Sequence, residues 1–284
     1  MSAPLVEVKN LRIAFPNEDG GYTPAVKGVS FALGREKLGI VGESGSGKSL
    51  SGRALLGVLP DYAQVSADAM SFDGINLLTA SPRTRRQLRG GRMGMILQDP
   101  KFSLNPVMRV GMQIVEAIRV GDRRVSGKEA RKRTLEMLEA VHIREPERVF
   151  GLYPHELSGG MGQRVMIAMM VVREPDLLIA DVPTSALDVT VQQQVLAIMD
   201  ELVTRRGMGL IFISHDLRLV SRFCDRVLVM YGGRIVEELR ADQLPDAQHP
   251  YTRGLLGCLP TIDGPLTPLS VLQRDAAWAS EASL

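Results

Sequence analysis

Cysteine is nearly missing from this chain, with two thiols, Cys224 and Cys258, in 284 residues. Two are too few for a disulfide framework or a four-ligand zinc site. They read as reduced core or surface thiols of a cytosolic protein. A charge excess is missing too: Lys+Arg 34 against Asp+Glu 32 leaves +2, which speaks against a dedicated nucleic-acid binder. Long apolar runs are also lacking. The longest, Val165 to Val172, falls far short of the ~18 residues that span a bilayer. The opening MSAPLVEVKN has no basic segment followed by an apolar one, so no secretory signal is expected. The expectation is a chain soluble by itself, with any membrane role supplied through partners.

What is present has a globular profile, 45% hydrophobic and 23% charged, which excludes wholesale disorder. The length suits one large domain or two small ones, ample for a packed core. Glycine, at 28 residues, is rich enough to invite a search for glycine loops. Val6–Phe15 alternates partly as a strand, and Gly20-Gly21 marks a turn. Three apolar runs end in polar residues: Lys37–Val41 before Gly42, Leu177–Ala180 before Asp181, and Leu210–Ile213 before Ser214-His215. Such runs read as buried parallel strands that deliver chemistry at their carboxyl ends. Helical patterns lie at Lys128–Val141, Gly160–Val172 and Thr190–Arg205. Strands interleaved with helices predict an α/β layered fold. Beyond Val236 the pattern weakens, and prolines at 245, 250, 260, 265 and 268 punctuate a tail of about 45 residues.

One segment carries chemistry by itself. Gly42-Glu43-Ser44-Gly45-Ser46-Gly47-Lys48-Ser49 fits G-x-x-x-x-G-K-[ST], with a strand before it and a helix-compatible stretch from Leu50 after it. Glycines permit the dihedrals that turn successive N–H groups inward into a nest for phosphate oxygens. The following helix adds its positive end. Lys48 is placed to reach the terminal phosphates, and the Ser49 hydroxyl to ligate Mg²⁺. Alone, the motif leaves kinases, GTPases, motors and transporters open.

The remaining motifs come in a fixed order. Gln98 follows the run Met93–Leu97, and Leu157-Ser158-Gly159-Gly160-Met161 opens a helix. Asp181, then Ser185-Ala186-Leu187-Asp188, then Ser214-His215-Asp216 follow. Locally, Ser158 and its glycines suit either an anion-presenting helix start or an ordinary N-cap. In this order, over residues 5–240 at least, the sequence resembles the nucleotide-binding subunit of an ATP-binding-cassette (ABC) transporter.

The resemblance implies a P-loop NTPase core with a mixed, mainly parallel sheet, an antiparallel β subdomain, an inserted helical subdomain and a short C-terminal extension. The expected cassette spans 1–240, with a core of about 1–98 and 173–240 and a helical subdomain of about 99–172. The extension is 241–284. ATP and Mg²⁺ are the implied cofactors, bound by the phosphate loop through Leu50. Asp181 becomes the metal-holding aspartate opposite Ser49, Gln98 the Q-loop glutamine near the metal, and His215 the switch histidine at the γ-phosphate. Ser158, Gly159 and Gly160 would complete the ATP site of an opposing cassette, and Asp188 would close across that interface. Phe15 is the choice for stacking on adenine, with Tyr22 second.

One residue departs from the pattern. The family normally has a glutamate directly after the metal-binding aspartate, where it polarises the attacking water, but here Val182 stands there. Valine accepts no proton, and loss of a general base costs ~10²–10⁴ in rate. The valine fits either a naturally degenerate site beside a competent partner or a substitution that traps the ATP-bound state. Gly162, where a bulkier polar residue is commoner, is a milder departure.

Gln98-Asp99-Pro100, Ser103-Leu104-Asn105-Pro106 and His249-Pro250-Tyr251-Thr252-Arg253 resemble peptide-import cassettes. That resemblance implies a second, different cassette, two transmembrane permease subunits and an extracytoplasmic substrate-binding protein, with no nucleic acid. It places the chain peripherally on the cytoplasmic side of the cell membrane. Some relatives hold an iron–sulfur cluster in the extension. Cys258 is the only cysteine there and a cluster needs four ligands, so none is expected. The arginine run at 83, 85, 86, 89 and 92 reads as a solvated charged face. Met166, Met169 and Met170 read as core packing.

Overall fold

The computed structural model describes residues 3–100, 103–184, 187–258, 275 and 278. Along the chain come β1 (Val6–Pro16), β2 (Tyr22–Leu33), β3 (Lys37–Val41), α1 (Lys48–Leu56), β4 (Gln64–Ser66), β5 (Ala69–Phe72) and β6 (Ile75–Asn76). Next are α2 (Pro82–Gln87), β7 (Met93–Ile96), α3 (Val110–Gly121), α4 (Gly127–Ala140), α5 (Pro146–Gly151) and α6 (Gly159–Val171). The chain continues with β8 (Leu177–Asp181), α7 (Val189–Arg206), β9 (Gly209–Ser214), α8 (Leu217–Phe223), β10 (Arg226–Tyr231), β11 (Arg234–Arg240) and α9 (Pro250–Gly257). Two compact units divide it, residues 1–80 with 212–284, and residues 81–211.

In the first unit an antiparallel sheet runs β2-β1-β5-β6, with β4 added to β1. The partial alternation of β1 has a local cause. Val6 and Val8 are buried, then Leu11 and Ile13, so the inward set changes from even to odd positions. The pairing with β2 shifts between Val8 and Leu11, and Asn10 sits there at φ 51. An extra residue in a bulge flips the parity and keeps the apolar set on one face. Asparagine tolerates that left-handed backbone.

The same unit contains the order β11-β10-β3-β9. Here β10 runs parallel to β3, Arg226 against Leu38 through Val229 against Val41, and antiparallel to β11. Leu38, Ile40 and Val41 are buried, as are Val227 to Met230. Asp225 fixes the register by accepting from the Lys37 N–H at 2.7 Å through its carboxylate. At Gly39 a methyl group would run into Val220 of α8 and lie 3.2 Å from Cys224 Sγ, so this glycine lets helix and strand approach. Burial and the Asp225 carboxylate push the Cys224 thiol pKa well above its ordinary range.

The second unit contains the order β9-β8-β7, with β7 parallel to β8. Strand β9 belongs to both units, up to Ile211 in the second and from Phe212 in the first. All five residues of β8 and all six of β9 are buried, which explains their continuous apolar runs. Beside β8 and β7 lies a helical cluster. Gly111 of α3 has the Phe150 ring of α5 where a side chain would start, and Arg131 of α4 stacks on that ring at 4.3 Å. The arginine run forms α2 and a π-helical turn, Leu88–Arg92. Arg92 pairs with Asp176 at 2.7 Å and Arg89 lines a cavity, so these two are more than a solvated face. Met166 is buried, and Met169 and Met170 line the same cavity. No helix among the described residues is long and apolar enough to cross a membrane.

The close approach at Gly39 yields a prediction. Gly39→Ala should destabilise the fold by about 1–3 kcal/mol through overpacking, and adding Val220→Ala should cost less than the sum of the two single changes. Urea unfolding of the two singles and the double checks this, and strict additivity would contradict the contact.

Candidate functional site

In the first unit the loop after β3 has the backbone its glycines were expected to supply. Gly42, Gly45 and Gly47 lie at φ 148, 82 and 98, where glycine alone is at ease. Side chains are also excluded by space at two of them. At Gly42 a Cβ would collide with the Met230 carbonyl, and at Gly47 it would sit 2.9 Å from Val26 Cγ2 and 3.1 Å from the Ala25 carbonyl. Helix α1 starts at Lys48 with Gly47 as its N-cap, no capping side chain and no acidic residue in its first turn. Its leading N–H groups therefore face the loop with a positive helix end behind them.

Lys48 is only 8% exposed. Its ammonium donates to the Gly42 carbonyl at 2.7 Å, the Glu43 carbonyl at 2.6 Å and Ser46 Oγ at 3.3 Å. A buried ammonium requires such oxygens. Glycine-permitted amides, a helix start and one ammonium together fit a polyphosphate. Ser46 and Gly47 are buried, Ser44 and Gly45 exposed, and Ser49 and Leu50 half-buried.

His215 is also in this unit. It is exposed just beyond β9, between two anchored neighbours. Ser214 Oγ accepts from the Asp216 N–H at 3.0 Å, and Asp216 caps α8 by accepting from Leu219 N–H at 3.1 Å. Phe15 is half-buried near the end of β1, edge-on to Tyr62 at 6.2 Å. Tyr22, the second choice, is 45% exposed.

The second unit carries the other candidates, and several share one cavity. Gln98, Asp99, Pro100, Ser158, Gly159, Pro183 and Leu187 line a space of about 220 Å³. Two glycines allow close approaches here, Gly162 in that lining and Gly160 in the lining of another cavity. Gly160 faces Val191 of α7, whose Cγ1 would lie 2.7 Å from a Cβ, and Gly162 faces Pro100 at 3.5 Å. Ser158 is the N-cap of α6, its hydroxyl accepting from the Met161 N–H at 3.4 Å, as the local reading of a capping serine anticipated. Asp188 likewise caps α7, accepting from the Val191 N–H at 3.0 Å. Ser185 and Ala186, between Asp181 and Asp188, lie outside the described residues.

Asp181 is buried at the end of β8. Among the described residues no cluster of three or more His, Cys, Asp or Glu could hold a metal. A single buried carboxylate of this kind suits Mg²⁺, which keeps several waters and takes further oxygens from phosphate. Val182 follows at φ 47. A β-branched residue in the left-handed region is a backbone outlier, and such conformations gather at functional sites. Thr184 Oγ1 steadies the turn by accepting from Gln192 Nε2 at 3.0 Å.

Sequence reasoning missed several supports. Buried Gln113 clamps the loop that follows Gln98, with Oε1 accepting from Asn105 N–H at 2.8 Å and Nε2 donating to the Asn105 and Met108 carbonyls, each at 2.9 Å. Arg164 ties α6 to its neighbours through the His142 carbonyl at 2.8 Å and Gln194 Oε1 at 2.6 Å. Neither has a signal in sequence beyond an amphipathic position. Tyr251 belongs to the motif at 249–253, where nothing local points to the Glu43 N–H from which its hydroxyl accepts at 3.0 Å.

Comparison with known proteins agrees with this geometry. Residues 26–185 match the ABC transporter family. The dipeptide transport ATP-binding protein DppD of Haemophilus influenzae is 48% identical over 90% of this chain and 78% of its own length. The oligopeptide transport ATP-binding protein OppD of Bacillus subtilis is 46% identical over 91% of this chain and 73% of its own. The solved dimer of the ATP-binding cassette MJ0796, in a post-hydrolysis state bound to ADP and Pi, superposes with a TM-score of 0.72 at 26% identity, covering 83% of this chain and 98% of that one. A family model that matches more than half of the chain, and relatives of 46–48% identity over most of it, show that this chain belongs to the ABC transporter family.

Proposed function

We propose that this chain is the ATP-binding subunit of an importer for di- or oligopeptides, acting with a second cassette beneath two transmembrane permease subunits that an extracytoplasmic binding protein serves. The observation that carries the reading is the joint presence of the phosphate-loop cradle, with Lys48 on its carbonyls, and relatives named for dipeptide and oligopeptide transport at 46–48% identity. The chain would lie peripherally on the cytoplasmic side of the membrane. Its functional division would be a cassette over 1–240, helical between about 99 and 172, followed by the extension 241–284.

The roles follow from the donors. Gly42 to Leu50 hold the phosphates, with Lys48 against the terminal ones and Ser49 with Asp181 holding Mg²⁺, which when bound neutralises charge on the phosphate oxygens. Gln98 senses the metal, His215 the γ-phosphate, and Phe15 stacks on adenine. Ser158, Gly159, Gly160 and Asp188 serve the opposing cassette's nucleotide, a role supported by the exposure of Ser158 and Gly159 at the start of α6. A cavity of about 380 Å³ lined by Arg89, Ser103, Asn105, Met108, Glu116 and Arg173 supports docking of a permease helix beside the segment after the Q-loop. Val107, 83% exposed, and Val120, 66% exposed, leave apolar surface on that segment and on α3.

Val182 sets the chemistry of this chain's own site. With a hydrocarbon in place of the general base, the site binds Mg-ATP and turns it over poorly, so hydrolysis falls to the partner cassette, whose nucleotide this chain's signature helix completes. A second reading, a regulatory cassette that binds ATP only to stabilise the assembly, draws on the same valine. In the whole complex, Lys48→Ala here and the equivalent change in the partner separate the two. Loss of turnover from the partner's change alone marks this chain as the regulatory half.

Two substitutions at Val182 separate chemistry from backbone strain. Val182→Glu should raise turnover of the complex about 100-fold or more if this site limits it, with nucleotide affinity nearly unchanged. Val182→Asn should add about 1 kcal/mol of stability, because asparagine tolerates the left-handed region, and leave turnover low. Phosphate-release assays and thermal melts check both. Equal turnover in the two variants would remove the general-base argument.

A further inference from the structure

The peptide group joining Gly42 to Glu43 is held from both edges. A trans peptide points its carbonyl and its N–H in opposite directions, and no cis bond occurs among the described residues. On one edge the Gly42 carbonyl accepts from Lys48 Nζ at 2.7 Å. On the other, the Glu43 N–H donates to the hydroxyl of Tyr251 at 3.0 Å, across 208 residues of sequence. Rotation of that plane cannot release one contact without the other.

Tyr251 is itself immobilised. It is 0% exposed and sits in the first turn of α9, where His249 Nδ1 accepts from its N–H at 3.2 Å. The Glu237 carboxylate of β11 accepts from the N–H groups of Gln248 and His249 at 2.7 and 3.1 Å, tying the start of the helix to the sheet. Its ring packs on Tyr231 at 4.5 Å and on Trp278 at 6.0 Å. Tyr231 ends β10, and the preceding Met230 carbonyl is the group that abuts Gly42. The extension therefore delivers one hydroxyl, on a rigid mount, to the first peptide of the phosphate loop.

We propose that Tyr251 is a positioning residue for nucleotide binding, its hydroxyl fixing the Gly42–Glu43 peptide plane and thereby the carbonyl that orients Lys48. The proposal rests on the phosphate-binding reading of this loop and assigns part of its geometry to the C-terminal segment. Without the hydroxyl, the Glu43 N–H loses this acceptor and the peptide plane its restraint on that edge, so the carbonyl that aligns the lysine is held less firmly. The affected step is ground-state binding of the phosphates.

The test uses the full chain and calorimetry with magnesium and a slowly hydrolysed ATP analogue, on wild type, Tyr251→Phe and Thr252→Val. Thr252 is the control, because it is fully buried beside Tyr251 and its hydroxyl has no hydrogen-bond partner among the described residues. Tyr251→Phe should bind about 2- to 10-fold more weakly, the equivalent of one neutral hydrogen bond, while Thr252→Val stays at the wild-type value. Unchanged affinity in Tyr251→Phe, or equal weakening in both variants, overturns the proposal. Absence of binding by wild type overturns the nucleotide reading instead. Hydrogen exchange of the Glu43 amide in wild type decides the positioning claim in that case, and also if Tyr251→Phe fails to fold. The amide should exchange more slowly than those of Ser44 and Gly45, and equal rates would sink the claim.

Discussion

A buried ammonium that must find oxygens organises the first unit of this protein. Lys48 lies under the loop that precedes it, and the Gly42 and Glu43 carbonyls and Ser46 Oγ receive its protons. Desolvating a charge without such partners is prohibitive, so the loop must curl back over its own lysine. That curl requires positive φ at Gly42, Gly45 and Gly47. It also requires the Met230 carbonyl of β10 to stand where a side chain at Gly42 would be. The parallel pairing of β3 with β10 puts that carbonyl in place, so strand register and the backbone of the loop are one constraint.

The second unit solves a different problem, how to expose backbone N–H groups at a helix start while keeping the helix stable. Ser158 and Asp188 each satisfy one N–H of their helices through a side-chain oxygen, which leaves other amides of the first turn unsatisfied within the helix. Gly162 brings α6 close to Pro100 within a cavity that residues from three separate motifs line, while Gly160 meets Val191 in another. Val182 sits at the edge of this arrangement in a backbone conformation that valine disfavours. Two residues on, Thr184 ties this turn to α7 by accepting from Gln192 Nε2.

Much of this was legible in the primary structure, for identifiable reasons. Lys37–Val41, Leu177–Asp181 and Gly209–Ser214 were legible because a strand buried on both faces is apolar almost throughout. The long helices at 127–140, 159–171 and 189–206 fall within a residue of their periodic patterns. The tail was less legible. Its prolines suggested only punctuation, yet Pro250 opens a helix whose N-cap is His249, since proline at a first helical position costs no hydrogen bond. The bulge at Asn10 and the π-turn at Leu88–Arg92 left no periodic trace. Both are local insertions that break the regularity on which pattern reading depends.

Sequence alone determined the glycine-rich loop with its lysine, the order of the motifs and the hydrocarbon at position 182, because each depends on residue type at short spacing. Tertiary structure alone decided which distant groups complete them. Tyr251 meets Glu43, Gln113 clamps Asn105, and Arg164 reaches both His142 and Gln194. Those contacts depend on strand register and helix packing, which bring together backbone amides and carbonyls that every residue possesses and no local pattern distinguishes.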